Sequence, residues 1–454
     1  MTSAPTGRSF VRERFVQPVA AFVNTEASGA ILLLAATLVA LAWANSPWEG
    51  SYFDFWHASL SADFNLFRIE ETLGHLVNDG LMAIFFFVVG LEIKRELVRG
   101  ELASPRKAAL PVAAAAGGMV VPAIIYAAWN VGGEGAKGWG IPMATDIAFA
   151  MGVLALLGTR APFSLKVFLL ALAIVDDLGA ILVIAVFYTE SVSFEAGVWA
   201  LILAAAIFGA GRAGLRSTDI YVVLGIAFWI AVYKTGVHAT VAGVVLAMLT
   251  PARAFYSQRA FESNAMDLLV AYRHARDRGD QEQAQQVLSE IEELSRDTEA
   301  PLDRLEHQLH PWVSYLIVPV FALANAGVVL SGGLIADAVE SPVTLGIVLG
   351  LAVGKPLGVV LACLVAVRLG VAQLPSNTHF GHIIGIGLVA GIGFTVSLFI
   401  TGLAFSEQAL ADEARIGILA ASFVAGVVGF AYLWILPGEP EQALGSEGSL
   451  LQAE

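Results

Sequence analysis

Long apolar runs separated by short polar segments dominate the chain. Twelve runs are near the roughly 20 residues that a helix needs to cross a bilayer. They cover residues 27–45, 73–93, 108–129, 139–158, 163–188, 196–211, 219–234, 237–250, 312–331, 342–367, 381–405 and 413–436. The pattern predicts an all-α polytopic membrane protein with about 12 transmembrane helices over residues 27–436.

Two polar segments carry structure of their own. In residues 252–311, apolar side chains recur at helical spacing between Val287 and Leu294, after a cap at Asp280. We expect a long helical loop there, and a solvated linker is the alternative. Residues 46–72 form a loop on the other side of the membrane, in which a β-hairpin is expected.

Composition supports a membrane protein. Hydrophobic residues make up 57% of the chain and charged residues 14%, and the mean hydropathy is +0.73. These values exclude a disordered chain, a coiled coil and an ordinary soluble enzyme. A net charge of −14 has the wrong sign for a nucleic-acid binder. The single cysteine, Cys363, excludes an internal disulfide framework and a cysteine metal site, and no cofactor is predicted.

Lysine and arginine placement predicts the orientation. With residues 1–26 in the cytoplasm, 20 of the 25 basic residues fall in cytoplasmic segments and 4 in outer ones. Both termini, including the polar tail 437–454 that we expect to be disordered, are therefore predicted to be cytoplasmic. The first run follows several arginines and could be a signal peptide, but it is longer than a signal core, so an uncleaved helix is favoured.

Asp176 and Asp177 lie in the middle of an apolar run. A charge inside a bilayer is costly, so this pair calls for a function. Two adjacent carboxylates cannot both ionise cheaply in a low dielectric, and one of them is expected to hold a proton near physiological pH. Their oxygens also suit small hard cations. A site that holds either a cation or a proton can exchange the two; the alternative is a structural pair satisfied by hydrogen-bond donors.

Two spans contain helix-breaking residues. Pro142 precedes Thr145 and Asp146, which predicts a broken helix with the aspartate at the break. The run 381–405 is interrupted by several glycines. One interrupted span in each half of the chain is typical of an inverted-repeat transporter. The alternatives are an ordinary aspartate cap and glycines that permit close helix packing.

Lys355 is a basic residue in the middle of a predicted span. An ammonium there needs an acidic or dipolar partner, and Asp176 or Asp177 is the obvious candidate; snorkelling to the interface is the alternative. Glu92 lies near the end of the second run, where further charged residues form either a solvated helix end or a network that responds to pH.

Several strings give the chain a family resemblance. They are NDGLMAIFFFVVGLEIKRELVRGEL (78–102), ATDIAFAMGVLALLG (144–158), FLLALAIVDDLGAI (168–181), GVHATVAGV (236–244), RLEHQLHPWVSYLIVPVFALANAG (304–327), GKPLG (354–358) and AGIGFTVSLFI (390–400). The sequence resembles the bacterial NhaA-type Na⁺/H⁺ antiporters from about residue 15 to 436. The resemblance implies twelve helices in inverted-topology repeats, with the fourth and eleventh broken and crossing.

The resemblance also implies roles for individual residues. Asp177 would be the main Na⁺ or Li⁺ ligand, and Asp176 would alternate between carrying a proton and pairing with Lys355. Asp146 and Thr145 would balance the half-helix dipoles and help to form the site. The residues matching the family's pH-response region are Glu92, Arg95, Glu96, His238, Glu306, His307 and His310.

The resemblance further implies an electrogenic, pH-regulated transporter. Such proteins are homodimers of the bacterial inner membrane, and the loop 46–72 occupies the place of the hairpin that contributes to their interface. The segment 252–303 looks longer than the corresponding loop, which sets it apart from the family pattern.

Two other functions compete with transport. An intramembrane aspartyl protease needs two acids on separate helices, and such proteases carry a Gly-x-Gly-Asp signature that neither Asp146 nor Asp177 has. A passive cation channel needs no pair of carboxylates that can take up and release a proton. Neither would couple Na⁺ flux to H⁺ flux, so coupled exchange separates the three.

Overall fold

The computed structural model describes residues 27–63, 68–189, 193–213, 218–254 and 258–436. The predicted cytoplasmic segment 1–26 and tail 437–454 lie outside the described residues. The helices of the first half are α1 (Ser28–Ala44), α2 (Glu49–His57), α3 (Leu73–Arg99), α4 (Pro105–Asn130), the 3₁₀ helix Glu134–Met143, α5 (Ile147–Leu156), α6 (Phe163–Phe187) and α7 (Phe194–Arg212).

The second half is also helical. Its elements are α8 (Thr218–Thr235), α9 (Ala239–Leu249), α10 (Gln258–Asp277), α11 (Gln281–Thr298), α12 (Pro301–Trp312), α13 (Val318–Asn325), α14 (Gly332–Glu340), α15 (Pro342–Arg368), α16 (Phe380–Ala390), α17 (Phe394–Ala404) and α18 (Gln408–Ile435). A π-helical turn joins α12 to α13, and further π-helical turns lie inside α3 and α15.

Six helices in the described part of the chain are long and apolar enough to cross a membrane. The count of spans rises to nine if each of three sharply bent helix pairs is taken as one span. The protein is therefore a helical, multi-pass membrane protein.

Two of the bent pairs lie in opposite halves of the chain. The 3₁₀ helix Glu134–Met143 and α5 meet at 42°, and α16 and α17 meet at 45°. Pro142 cannot donate a backbone hydrogen bond, which favours the first bend. At the second bend, a Cβ atom on Gly391 would stand 2.5 Å from the Leu351 carbonyl oxygen, so only glycine allows this approach.

Helices α4 and α15 cross with their backbones in contact. A Cβ on Gly117 would lie 2.2 Å from the Gly358 carbonyl oxygen, and one on Gly358 would lie 2.1 Å from that of Gly117. Small residues allow such close helix packing. The crossing brings Lys355, on α15, against Gly118 of α4.

Two hairpins lie outside the spanning helices. Strands β1 (Ser59–Asp63) and β2 (Arg68–Thr72) pair antiparallel. Helices α10 and α11 form the other hairpin, which turns at Gly279 (φ +74°). At its base, the Leu302 amide donates to the Pro251 carbonyl oxygen at 3.1 Å, so the chain leaves and rejoins the bundle at one point.

Candidate functional site

The two bent pairs meet at their bends and hold each other there. The Asp146 amide donates to the Ile392 carbonyl oxygen at 2.7 Å. From α17, the Ser397 hydroxyl donates to the Ile141 carbonyl oxygen, also at 2.7 Å. Each bend frees backbone groups, and the other helix pair supplies their partners, which satisfies the requirement that buried backbone groups be hydrogen-bonded.

The buried Asp146 side chain caps two helices at once. One carboxylate oxygen accepts from the Phe149 amide of α5 at 3.0 Å. The other accepts from the Thr395 amide at 3.0 Å and from the Thr395 hydroxyl at 2.7 Å, in the first turn of α17. Helix N-termini carry partial positive charge, so one carboxylate balances two helix dipoles here.

Lys355 faces the C-terminal ends of helices, whereas Asp146 caps helix N-termini. Its side chain is completely buried and forms an ion pair with Asp176. It also donates to the Met143 carbonyl oxygen, at the C-terminal end of the 3₁₀ helix. The Thr145 hydroxyl donates to the same Asp176 oxygen at 2.6 Å and lies 3.0 Å from the Ala390 carbonyl oxygen, where α16 ends. The ammonium and the hydroxyl thus offset the negative ends of these helices.

Asp177 differs from the other acidic residues of this site. Its side chain is 1% exposed, and neither of its carboxylate oxygens has a hydrogen-bond partner in the described part of the chain. The second oxygen of Asp176 is also unpartnered. A buried ionised carboxylate without a partner is very unfavourable. These three oxygens therefore call for a proton or a cation, the two species a carboxylate can accept.

Five residues that the sequence placed within predicted spans meet at this crossing, and we call them the buried charge cluster: Thr145, Asp146, Asp176, Asp177 and Lys355. Sequence reasoning did not identify Thr395 and Ser397 as its partners. A single threonine or serine in an apolar helix is common, so nothing in the sequence singled out these two residues.

A second group of charges lies where α3 ends against α12. Arg95 forms an ion pair with Glu306, Arg95 Nε lies 3.8 Å from Glu96 Oε1, and Arg99 pairs with Asp303 at 2.5 Å. Glu306 is buried, and one of its oxygens has no partner within the described residues. Burial raises the pKa of Glu306 above its usual range, and the Arg95 charge opposes that shift.

Glu92 connects the two groups. It interacts electrostatically with Glu306 and with Asp177. His307 and His310 lie exposed on α12 beside Glu306. His238 lies apart from these charges. It directly precedes α9, whereas the other end of α9 is the one that contacts α3, where Lys94 donates to the Met248 carbonyl oxygen at 2.6 Å.

Replacing Thr395 with valine is expected to destabilise the bend. The change removes the hydroxyl bond to a buried carboxylate, and such bonds contribute about 1.5–3 kcal/mol. Thermal or denaturant unfolding in detergent measures the loss. Thr401→Val is the matched control on the same helix, because within the described residues that hydroxyl bonds to the Ser397 carbonyl oxygen one turn earlier and to no other group. Equal effects of the two changes would contradict the capping role of Thr395.

A helical bundle that spans a membrane and buries carboxylates and an ammonium at the meeting of two bent helix pairs defines an ion-transporting membrane protein. The family comparison is more specific. The chain belongs to the Na⁺/H⁺ antiporter 1 family, whose model matches residues 20–433. The family indicated by the sequence motifs is thereby confirmed, and with it antiport of sodium and protons as the family's activity.

Several named relatives are similar to this chain over nearly its full length. The chain is 47% identical over 420 residues to the Na⁺/H⁺ antiporter NhaA 2 of Syntrophotalea carbinolica, covering 92% of this chain and 96% of the relative. It is 48% identical over 438 residues to the Na⁺/H⁺ antiporter NhaA of Oleidesulfovibrio alaskensis, covering 95% and 97%. It is 48% identical over 422 residues to the NhaA protein of Koribacter versatilis, covering 93% and 92%.

Proposed function

We propose that the protein is an electrogenic Na⁺(Li⁺)/H⁺ antiporter of a bacterial inner membrane, regulated by pH. Asp176 and Asp177 would bind either the alkali cation or protons, with Asp177 as the main cation ligand. Asp146 and Thr145 would hold the bends that form the site. The bent pairs would be the fourth and eleventh of about twelve spans, related by inverted topology.

One observation carries this proposal. The unpartnered carboxylate oxygens of Asp176 and Asp177 belong to adjacent residues that are at most 1% exposed, and the two groups interact electrostatically. A small hard cation prefers such oxygens, and a proton neutralises them equally well. Because the same oxygens serve both, cation binding expels protons and protonation expels the cation.

The Lys355 ammonium lowers the energetic cost of the buried carboxylates when no cation is bound. Its ammonium neutralises Asp176, so that only Asp177 then needs a proton. When the cation binds, both carboxylates can contribute, and Asp176 would exchange its ion pair for the cation. Asp177 would release one proton to the entering cation, and Lys355, no longer paired with Asp176, would release a second, so that exchange of two protons for one monovalent ion would move net charge across the membrane.

Coupled flux is the direct test. Everted vesicles holding the protein, with a fluorescent dye that reports their internal pH, are given Na⁺ or Li⁺ over a range of pH. Antiport predicts proton release that needs the added cation. A channel would let cations through without moving protons. A protease would show neither flux, and the geometry does not favour it, because Asp146 bonds to Thr395 and Phe149 rather than to either acid of α6.

We further propose that the charges between α3 and α12 set the pH response. Glu306 keeps its proton to higher pH than an ordinary glutamate, because burial favours the neutral form. Its loss of the proton creates a buried charge, so the stability of the low-pH arrangement falls as pH rises through the raised pKa. Glu92 links this change to Asp177. Arg95, Glu96, His307 and His310 would modulate it, and the role proposed for His238 would act from the far end of α9.

Glu306→Gln is expected to weaken activation by alkali. Glutamine cannot lose a proton, so the low-pH arrangement persists, and the pH of half-maximal exchange should rise by on the order of one unit, the usual size of such shifts. The pH scan of dye dequenching measures the change. Glu293→Gln, on the exposed face of α11, should leave the profile as it is. An unchanged profile for the Glu306 variant would refute its part in regulation.

The placement in the membrane completes the proposal. Both termini and the α10–α11 hairpin would be cytoplasmic, as the basic residues predict. The β1–β2 hairpin would then lie on the outer side and contribute to the interface of a homodimer.

A further inference from the structure

Helix α2 turns sharply away from the first spanning helix. Its axis makes an angle of 114° with that of α1, so the two cannot cross the bilayer as one straight helix. The nine residues of α2 are also too few to cross a bilayer by themselves. Nothing in the proposed antiport mechanism gives α2 a role.

One side of α2 exposes large aromatic rings. Trp48 is 74% exposed and Phe55 is 47% exposed. Trp48 is the residue directly before the first turn of α2, and Phe55, seven residues later, lies in its last turn, so the two are about two helical turns apart on the same side. The Phe55 ring lies 6.1 Å from that of Trp43, at the end of α1. The aromatic side is thus continuous with the exposed apolar side of α1, where Val39 projects about 40° from Trp43.

The other sides of α2 have different chemistry. Asp54 and His57 are exposed and polar, and they lie well away from the aromatic side. Tyr52 and Trp56 are buried and face the protein. The Tyr52 hydroxyl donates to the Leu323 carbonyl oxygen at 2.8 Å, near the end of α13, which fixes α2 against that helix.

We propose that α2 lies in the water–lipid interface, with Trp48 and Phe55 inserted into the bilayer and Asp54 in water. Two observations support the bilayer as the partner, namely the angle to α1 and the continuity with the exposed apolar side of α1. The amphipathic character of tryptophan, which favours membrane interfaces, agrees with them. Through Tyr52, this contact fixes the height of α1 and α13 in the membrane.

Spin labels on introduced cysteines test the proposal in the full-length, reconstituted protein. Cys363 is buried and does not compete for labelling. Labels at Trp48→Cys and Phe55→Cys should be reached by oxygen in preference to a water-soluble nickel chelate, at a depth of about 5–10 Å. A label at Asp54→Cys, the matched control on the same helix, should be reached by the nickel chelate.

Two results would overturn the proposal. If the nickel chelate reached positions 48 and 55 as readily as position 54, the helix would lie in water. If both positions were shielded from oxygen and nickel and the labels of two copies were close together, a second copy of the chain would cover this side. Quenching by brominated lipids, stronger for the unaltered protein than for Trp48→Phe, checks the result without any labelled residue.

Discussion

Replacing Asp177 with asparagine is expected to reduce Na⁺-driven proton exchange to background. Asparagine can neither ionise nor carry a proton, so the change removes both the cation ligand and the proton site. Charges in buried sites contribute several kcal/mol, and cation affinity should therefore fall about 100-fold or more. Dye dequenching in everted vesicles measures exchange, and isothermal titration with Na⁺ or Li⁺ measures binding.

An acid far from the cluster provides the control. Asp337 is exposed on α14, and Asp337→Asn should exchange normally. The Asp177 variant should also elute from a sizing column like the unaltered protein, because asparagine fits the same space. Normal exchange by Asp177→Asn would refute the assignment of the cation site.

Removal of the Lys355 side chain is expected to have the largest effect on stability. Lys355→Ala leaves Asp176 buried, with the Thr145 hydroxyl as its remaining hydrogen-bond donor in the described structure. Breaking a buried ion pair by removing one partner costs about 3–5 kcal/mol. The melting temperature in detergent should fall accordingly.

Two further variants identify the cause of that loss. Lys107→Ala breaks an exposed pair with Glu101, with the two charges 3.1 Å apart, and should change stability by less than about 1 kcal/mol. The double variant Lys355→Ala, Asp176→Asn leaves no stranded charge and should recover part of the loss. An unchanged melting temperature for Lys355→Ala alone would contradict the pairing.

The sequence was most informative where a charged residue lies within an apolar run. Asp176, Asp177, Asp146 and Lys355 could be singled out because an ionisable side chain inside a bilayer is costly and needs a partner. The structure places all four at one crossing. The interruptions at Pro142 and at the glycines near residue 391 were visible for a similar reason, since these residues disturb helical hydrogen bonding.

Long-range partners could not be predicted in this way. The Thr395 hydroxyl meets Asp146 across 249 positions of the chain, and an isolated threonine gives no hint of it. The ion pair of Arg99 with Asp303 spans a similar distance. Pairings of this kind depend on how helices cross, which apolar periodicity does not specify.

Helix boundaries were also hard to predict. The apolar run 312–331 suggested a helix starting at its first residue, whereas α12 already begins at Pro301 and leads through a π-helical turn into α13. Its first turns are polar because they carry Asp303 and Glu306, which pair with the arginines of α3. Polar turns of a continuous helix look like a loop when hydrophobicity is the signal.

The backbone hydrogen bond between Pro251 and Leu302 has a practical consequence. A segment that leaves and rejoins the bundle at neighbouring residues can change in length with little effect on the stability of the bundle, because loop-closure entropy grows only slowly with loop size. A fluorescent protein or an epitope inserted at Gly279, at the tip of the α10–α11 hairpin, should therefore be accommodated without disturbing the bundle.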